Sequence, residues 1–284
     1  MKEFVRAYLS RDLRGQSVEQ LVICDIDKTY LNTRFSNWRG LARIPFEWAI
    51  DKKPISGMVP LLRGLRRGAS QGHFAHPLFF VSGSPPELRN VIERRMVMDG
   101  VEFDGFLFKD QIGCIKRGRI KALTQQVAYK LYALAQLWQQ TAEVERVVMF
   151  GDDVEDDPFI FSVFRRVLLG EIARDALCDA LVAKGVVESE LGVLSETLLE
   201  HSGKLANKEI LCVIRQVKSK TVLDYASGVL GVGHMTQAAY ALSRRGFIGP
   251  EALARVVAED ESVGFDWSRK QSMRSQLNDW FEEA

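Results

Sequence analysis

An α/β fold with a Rossmann-like parallel sheet is what three segments of this sequence predict. Leu21–Cys24, Leu78–Val81 and Val147–Phe150 are short unbroken apolar runs, as strands covered on both faces require. Each run stops abruptly at polar residues: Asp25-Ile-Asp27, Ser82-Gly83-Ser84 and Gly151-Asp152-Asp153. Segments with helical spacing lie between the runs, and strands alternating with helices form parallel sheets. Ligands in such sheets bind beyond the carboxyl ends of the strands, so the three polar ends point to one crevice.

The elements follow in order. After the first strand, residues 30–56 carry Phe35, Trp38, Pro45, Phe46, Trp48 and Pro54 without clear periodicity, which predicts a short flap beside the site. Met58, Leu61, Leu62 and Leu65 recur at helical spacing, with Arg63, Arg66 and Arg67 read as the solvated side of that helix. His73 and His76 precede a strand and therefore belong at its amino edge, away from the crevice. Ser84-Pro85-Pro86-Glu87 reads as a helix start, a capping hydroxyl followed by prolines and an acid, and the helix should run to Met98 and stop at Gly100. A strand is expected over 103–108, a long helix bearing Lys121 and Lys130 over 120–140, a short helix from Asp157-Pro158 and a last strand over 167–170.

From Glu171 onward the apolar residues recur at helical spacing, in 172–183, 191–199, 210–217, 238–242 and 253–257, separated by glycines. The expected organisation is a core over residues 1–200 and an all-helical appendage over 201–284. Residues 238–259 could form a helix-turn-helix, but they carry no basic recognition face, so there is no strong nucleic-acid signal.

Bulk properties agree with a globular enzyme-sized chain. Its 284 residues are 46% hydrophobic and 26% charged, and the formal charge of +1 supplies no general attraction to nucleic acid or anionic membranes. Cys24, Cys114, Cys178 and Cys212 are scattered, without the spacing of a zinc site, and read as reduced thiols. No apolar run reaches the length of a transmembrane segment, and Met1-Lys-Glu-Phe-Val-Arg lacks the layout of a signal peptide, so a cytoplasmic location is expected.

The chemistry starts at Asp25 and Asp27. Residues at i and i+2 of an extended chain point the same way, so the two carboxylates can share a small volume. Carboxylates held that close repel, and a proton, a cation or a metal must relieve them.

Asp25-Ile-Asp27-Lys-Thr29, Ser82 at a strand end, a lysine, and Gly151-Asp152-Asp153 resemble, in that order, the four motifs of the haloacid dehalogenase (HAD) superfamily of phosphohydrolases. Within it, Phe80-Val-Ser-Gly-Ser-Pro85 and Gly151-Asp-Asp-Val-Glu-Asp-Asp157-Pro158 are most similar to the catalytic domain of actin-patch-type phosphatidate phosphatases and their bacterial relatives. The resemblance covers roughly the first 170 residues.

That resemblance implies a phosphomonoester hydrolase. Asp25 would be the nucleophile, forming an aspartyl-phosphate, and Asp27 the acid for the leaving oxygen and then the base for water. Mg²⁺ would be held by the Asp25 carboxylate, the Asp27 backbone carbonyl and the Asp152 carboxylate, all hard oxygen donors. Among Asp153, Asp156 and Asp157, the family spacing favours Asp157 as an outer ligand, and loss of Asp152 is expected to cost more activity than loss of Asp156 or Asp157. Ser82 would hold a phosphate oxygen with help from the Gly83 and Ser84 N–H groups. Lys130 stands where the family carries its lysine, with Lys109 and Lys121 as alternatives, while Thr29 would tie down the turn and Lys28 departs from the acid often found there.

A receiver domain also gathers acids, a hydroxyl and a lysine around Mg²⁺. There the phosphorylated aspartate follows the acidic pair, however, whereas here Asp-x-Asp comes first. A different class of reading is a catalytically silent scaffold whose C-terminal helices bind a protein partner or a second copy. The substrate stays open at this point: a lipid phosphate, a phosphoprotein, a nucleic-acid end or a small metabolite.

Overall fold

The computed structural model describes residues 4–32, 53–70, 75–118, 125–218 and 228–263. In chain order the elements of the first half are β1 (Val5–Leu9), β2 (Leu13–Cys24), α1 (Met58–Arg67), β3 (Leu78–Ser82), α2 (Arg89–Met98), β4 (Gly105–Lys109), α3 (Gln111–Lys116) and α4 (Gln126–Gln139). The second half holds β5 (Thr141–Asp152), α5 (Asp157–Leu169), α6 (Arg174–Ala183), α7 (Glu188–Leu199), β6 (Glu209–Arg215), β7 (Val229–Val232), α8 (Met235–Arg244) and α9 (Pro250–Ser262).

The strands form one seven-stranded sheet in the order β1-β4-β3-β2-β5-β6-β7, parallel except for β1, which pairs antiparallel with β4 at one edge. From β2 the chain moves outward to β3 and β4, then returns to the other side of β2 and moves outward through β5, β6 and β7. The reversal lies between β2 and β5, whose ends are in register at Cys24 and Phe150. A crevice opens at such a switch point because the connections on its two sides diverge.

Alternation along the strands divides the core in two. Leu21, Ile23, Phe79, Val81, Val147 and Met149 pack with residues of α4, α5, α6 and α7 on one face. Val22, Cys24, Leu78, Phe80, Val148 and Phe150 pack with α1, α2, α8 and α9 on the other. Burying each such side chain stabilises the fold by about 1.5–3 kcal/mol, which is ample to hold the strand ends in place.

Several expectations need correction. Residues 167–170 are not a strand: Ile160, Phe161, Phe164, Val167 and Leu168 form the buried stripe of α5, which ends at Gly170 with φ 76°. Gly170 is the left-handed residue that terminates the helix. Residues 210–217 are not helical, because Ile210 to Ile214 are buried without interruption in β6. Five consecutive buried residues leave no polar stripe for a helix to expose, so a strand covered on both faces results. The C-terminal region is therefore not all helical; β6 and β7 extend the parallel sheet past residue 200, and α8 and α9 pack beside it. Arg66 is not solvated but buried in an ion pair with Asp104, whereas Arg63 and Arg67 are exposed. The aromatic flap residues up to Trp48 lie outside the described residues, as do His73 and Lys121.

Candidate active site

Backbone hydrogen bonding carries β2 into the site. The Asp25 N–H donates to the Phe150 carbonyl at 2.8 Å, which fixes Asp25 beside the end of β5. Ile23 and Asp25 share a face by strand alternation, and that face is the one covered by α4 and α5. Beyond Asp25 the chain turns sharply: Tyr30 N and Leu31 N donate to the Ile26 carbonyl at 3.0 and 2.9 Å, and Lys28 takes a left-handed conformation with φ 61°. This is uncommon for a residue with a side chain and marks a turn held by its surroundings. The Arg215 guanidinium at the end of β6 provides one such hold, donating to the Lys28 carbonyl at 2.8 Å.

Two glycines permit close approach. A Cβ on Gly151 would lie 2.6 Å from the Asp157 Cβ, so only glycine lets the start of α5 fold back onto β5. A Cβ on Gly83 would lie 2.7 Å from the Gln126 side-chain amide, so the loop after β3 is pressed against the start of α4.

The result is a buried charge cluster. The Lys130 ammonium lies 2.9 Å from Asp25 Oδ1, 2.5 Å from Asp157 Oδ1 and 3.0 Å from Glu155 Oε2. Asp152 accepts from Val154 N at 2.6 Å through Oδ1, while Oδ2 is buried without a hydrogen-bond partner among the described residues. Asp25 Oδ2 is likewise buried and unpartnered. One oxygen each from Asp25, Asp152 and Asp157 lies within 4.8 Å of the others.

The electrostatics follow from burial. Desolvation pushes the Asp25 and Asp157 carboxyls up against the pull of Lys130, and it raises Asp152 to about 7 with help from Asp157. Burial disfavours the Lys130 charge, but Asp157, Asp25 and Glu155 outweigh it and push the ammonium upward. Lys130 in turn holds Glu155 below the usual carboxylate range. The ammonium contacts three of the four carboxylates and Arg215 attracts Asp152, yet among the described residues two carboxylate oxygens are left without hydrogen-bond partners. The donors are all hard oxygens, so the triad could hold a divalent cation.

Asp27 stands apart from this triad, half-buried, with Oδ2 accepting from the Ser84 hydroxyl at 2.7 Å. The Ser82 hydroxyl oxygen accepts from Ser84 N at 3.0 Å and sits 3.5 Å from Asp27 Oδ2, at the limit of any hydrogen bond. Ser84 is thus not a helix cap: Pro85 precedes the 3₁₀ turn Pro86–Leu88, and the Ser84 hydroxyl serves Asp27. Lys109 is buried at the end of β4 but donates to the Gln125 carbonyl at 3.0 Å. Asp153 accepts from Val217 N and Lys218 N at 2.6 and 3.0 Å, and Asp156 pairs with Lys184 at 2.6 Å in a more exposed position.

The structure therefore brings Asp25, Lys130, Asp152 and Asp157 together, sets Asp27, Ser82 and Gly83 on the neighbouring rim, and turns Lys109, Asp153 and Asp156 to other partners. Glu155, Tyr129 and Arg215 were not singled out from sequence. The Tyr129 hydroxyl lies 2.7 Å from the Ser82 carbonyl and 2.8 Å from that of Leu107, bracing the end of β3. A tyrosine immediately before Lys130 was the available signal for that contact.

A parallel α/β sheet with a cation-demanding carboxylate cluster at its switch point defines the class of site. Residues 20–174, which run from β2 past the end of α5, match the family model described as "Phosphatidate phosphatase APP1, catalytic domain". The match takes in more than half of the chain, and the chain belongs to this family of phosphatases. No curated protein matches it. The solved "Structure of Pnkp1/Rnl/Hen1 complex" is similar over 56% of this chain and 46% of that one, at 18% identity and a TM-score of 0.36. The chain thus spans less than half of that relative's length, and a likeness this slight carries no argument.

Proposed function

We propose that this chain is a HAD-type, Mg²⁺-dependent phosphomonoester hydrolase that works through an aspartyl-phosphate on Asp25. One observation carries the reading: Asp25 Oδ1 is held 2.9 Å from the Lys130 ammonium while Oδ2 is buried and unpartnered, beside the Asp152–Asp157 pair. A nucleophile must stay ionised next to a phosphoryl dianion, and positive charge beside it makes that affordable. Bound through Asp25, Asp152 and the Asp27 carbonyl, with Asp157 behind them, Mg²⁺ would supply the remaining positive charge.

The residues divide the work as follows. An Asp25 carboxylate oxygen attacks phosphorus in line, a new O–P bond forms, and the ester O–P bond breaks. Asp27, separate from the carboxylate triad and steadied by Ser84, gives its proton to the departing oxygen. Water then attacks phosphorus, Asp27 takes a proton from it, and the acyl–phosphate bond breaks to release phosphate and free Asp25. The Ser82 hydroxyl has no short acceptor of its own and would donate to a phosphate oxygen, joined by the Gly83 N–H. Lys130 offsets the charge that accumulates on Asp25 and the phosphoryl group.

The family description supports a phosphatidate-like lipid phosphomonoester as the substrate class. Hydrolysis of p-nitrophenyl phosphate by the full chain should require added Mg²⁺ and stop with a chelator. Acid-quenched enzyme should carry one phosphoryl group on the peptide containing Asp25. A phosphoryl-free enzyme during turnover, or undiminished activity of Asp25→Asn, would remove the reading.

A further inference from the structure

We infer that Arg215, at the end of β6, is a positioning residue for this site: it reaches past the end of β5 and fixes the turn after Asp25 against the acidic loop. Both halves of the metal-ligand set then stand in place before the ion binds. The inference rests on the hydrolase reading above and adds a residue to it. Arg215 lies beyond residues 20–174, the stretch that matches the family model, so this hold is contributed by the strand that follows it.

One residue touches both loops. Its main-chain carbonyl accepts from Asp153 N at 3.1 Å, and it is the register partner of Asp152 in the ladder between β5 and β6. Its guanidinium donates to the Lys28 carbonyl at 2.8 Å, in the turn that follows β2 on the other side of β5. Strands β6 and β2 stand two strand spacings apart, roughly 10 Å, a gap that calls for a long side chain.

The choice of acceptor separates two roles. Asp152 and Asp153 both attract the Arg215 charge, yet among the described residues the guanidinium forms no ion pair and donates to a neutral carbonyl. A cation placed to neutralise the acidic loop would pair with one of its carboxylates. A cation placed to hold the turn bonds the turn, and the Asp152 Oδ2 stays without a hydrogen-bond partner. The turn needs a hold, because Lys28 has φ 61°, which a residue with a side chain keeps only where its surroundings impose it. The Asp27 carbonyl assigned to the metal immediately precedes Lys28, and the Asp27 carboxyl is the proposed acid. A shift of this turn therefore moves a metal ligand and the proton donor together.

Calorimetry of Mg²⁺ binding to the full chain without substrate tells positioning from charge balance, since the two predict opposite signs. A cation beside a metal site repels the metal, so loss of its charge alone should tighten Mg²⁺ binding. Loss of a positioning bond should weaken it: Arg215→Met is expected to raise the Mg²⁺ dissociation constant about 10–100-fold, the usual cost of removing a group that orients metal ligands. Arg215→Lys keeps the charge and one donor, so its affinity should fall between the two, and it carries the test alone if the methionine variant does not fold. At saturating Mg²⁺, Arg215→Met should lose about tenfold or more in kcat toward p-nitrophenyl phosphate while KM changes little, because the guanidinium holds the turn and not the substrate. Unchanged or tighter Mg²⁺ binding by Arg215→Met, or by Arg215→Lys where that variant stands alone, would overturn the inference. So would a rise in KM at full kcat, or a wild type that binds no Mg²⁺. Loss of the hydrolase reading would instead appear as no turnover of any phosphomonoester by the wild type, with calorimetry still deciding the role of Arg215.

Discussion

Each edge of the sheet holds an ion cluster around a buried pair, and the clusters are built on opposite terms. At the amino edge Arg66 pairs with Asp104, whose Oδ2 also accepts from Leu78 N at 2.9 Å, with Arg11 3.8 Å from the other oxygen and Glu102 3.7 Å from the Arg66 guanidinium. Two cations meet two acids there. At the carboxyl edge a single ammonium faces Asp25, Asp157, Glu155 and, behind them, Asp152, and two carboxylate oxygens have no partner. A balanced cluster locks a strand end to a helix. An unbalanced one stores a demand for positive charge, and that demand is what a metal and a phosphate-handling site require.

The sharpest way to break this comparison is to remove one charge from each edge. Asp25→Asn should lower phosphatase activity on the order of 10⁴-fold or more, because the nucleophile is gone. The same change relieves repulsion, so its melting temperature should equal or exceed that of the wild type without Mg²⁺. Arg66→Met should do the reverse, leaving Asp104 buried with its main partner lost, at about 3–5 kcal/mol of stability. Its activity per folded molecule should stay near that of the wild type. Calorimetry and turnover on the same samples separate the two; a destabilised Asp25→Asn would mean that the carboxyl edge is as balanced as the other.

Within the acidic loop, the half-exposed Asp156 and the buried Asp157 offer a finer contrast. Asp157→Asn should abolish most activity, whereas Asp156→Asn, which loses only a surface pair with Lys184, should keep nearly all of it and change stability by no more than about 1 kcal/mol. Steady-state kinetics across a Mg²⁺ titration would show the difference as a shift in metal requirement for Asp157→Asn alone.

How much of this was legible in the sequence depended on whether local pattern or distant packing decided the outcome. β2, β3 and β5 could be read because each joins an unbroken apolar run to a polar stop, a pattern with few other uses. Lys130 was reached only through the family spacing, with Lys109 and Lys121 as alternatives, since a lone lysine in a helix is more often solvated than buried. β6 could not be read, since Ile210, Val213 and Val217 happen to fall at helical spacing and only the sheet edge beside β5 favours the extended form. With β6 misread, Arg215 and its bond to the Lys28 carbonyl were out of reach. Five acids crowd residues 152–157; the family spacing pointed to Asp157, but nothing local tells that Glu155 turns inward while Asp156 pairs with Lys184, and the position of Lys130, more than twenty residues away in sequence, decides it.

Metal binding sharpens the comparison at intermediate size. Burial raises the Asp152 carboxyl from 3.8 to about 7, so its folded value exceeds its unfolded one. Its contribution to stability is complete below pH 3.8 and is lost as pH rises through about 7, which leaves the metal-free protein weaker there. A divalent cation binds the ionised carboxylates and competes with the proton. Added Mg²⁺ should therefore raise the melting temperature clearly above pH 7 and little near pH 5, and the gain should vanish in Asp152→Asn. An equal gain at both values would place the cation elsewhere.

A further contrast comes from Lys109, a buried cation at the end of β4 that bonds the Gln125 carbonyl. Burial lowers its ammonium from 10.5 to about 8, although distant acids pull the other way. Here the folded value lies below the unfolded one, so the charged form is disfavoured in the native protein. Between about pH 8 and 10.5 the unfolded chain holds the proton that the folded chain has released, and stability rises with pH across that window. Denaturant midpoints of wild type and Lys109→Met, compared over this range, should show a slope worth on the order of 1–3 kcal/mol in the wild type that the variant lacks. Because the Lys109 ammonium donates to the Gln125 carbonyl and not to Asp25, the variant should also lose far less activity than Lys130→Met. Comparable losses in the two variants would show that β4 supplies part of the charge here assigned to α4 alone.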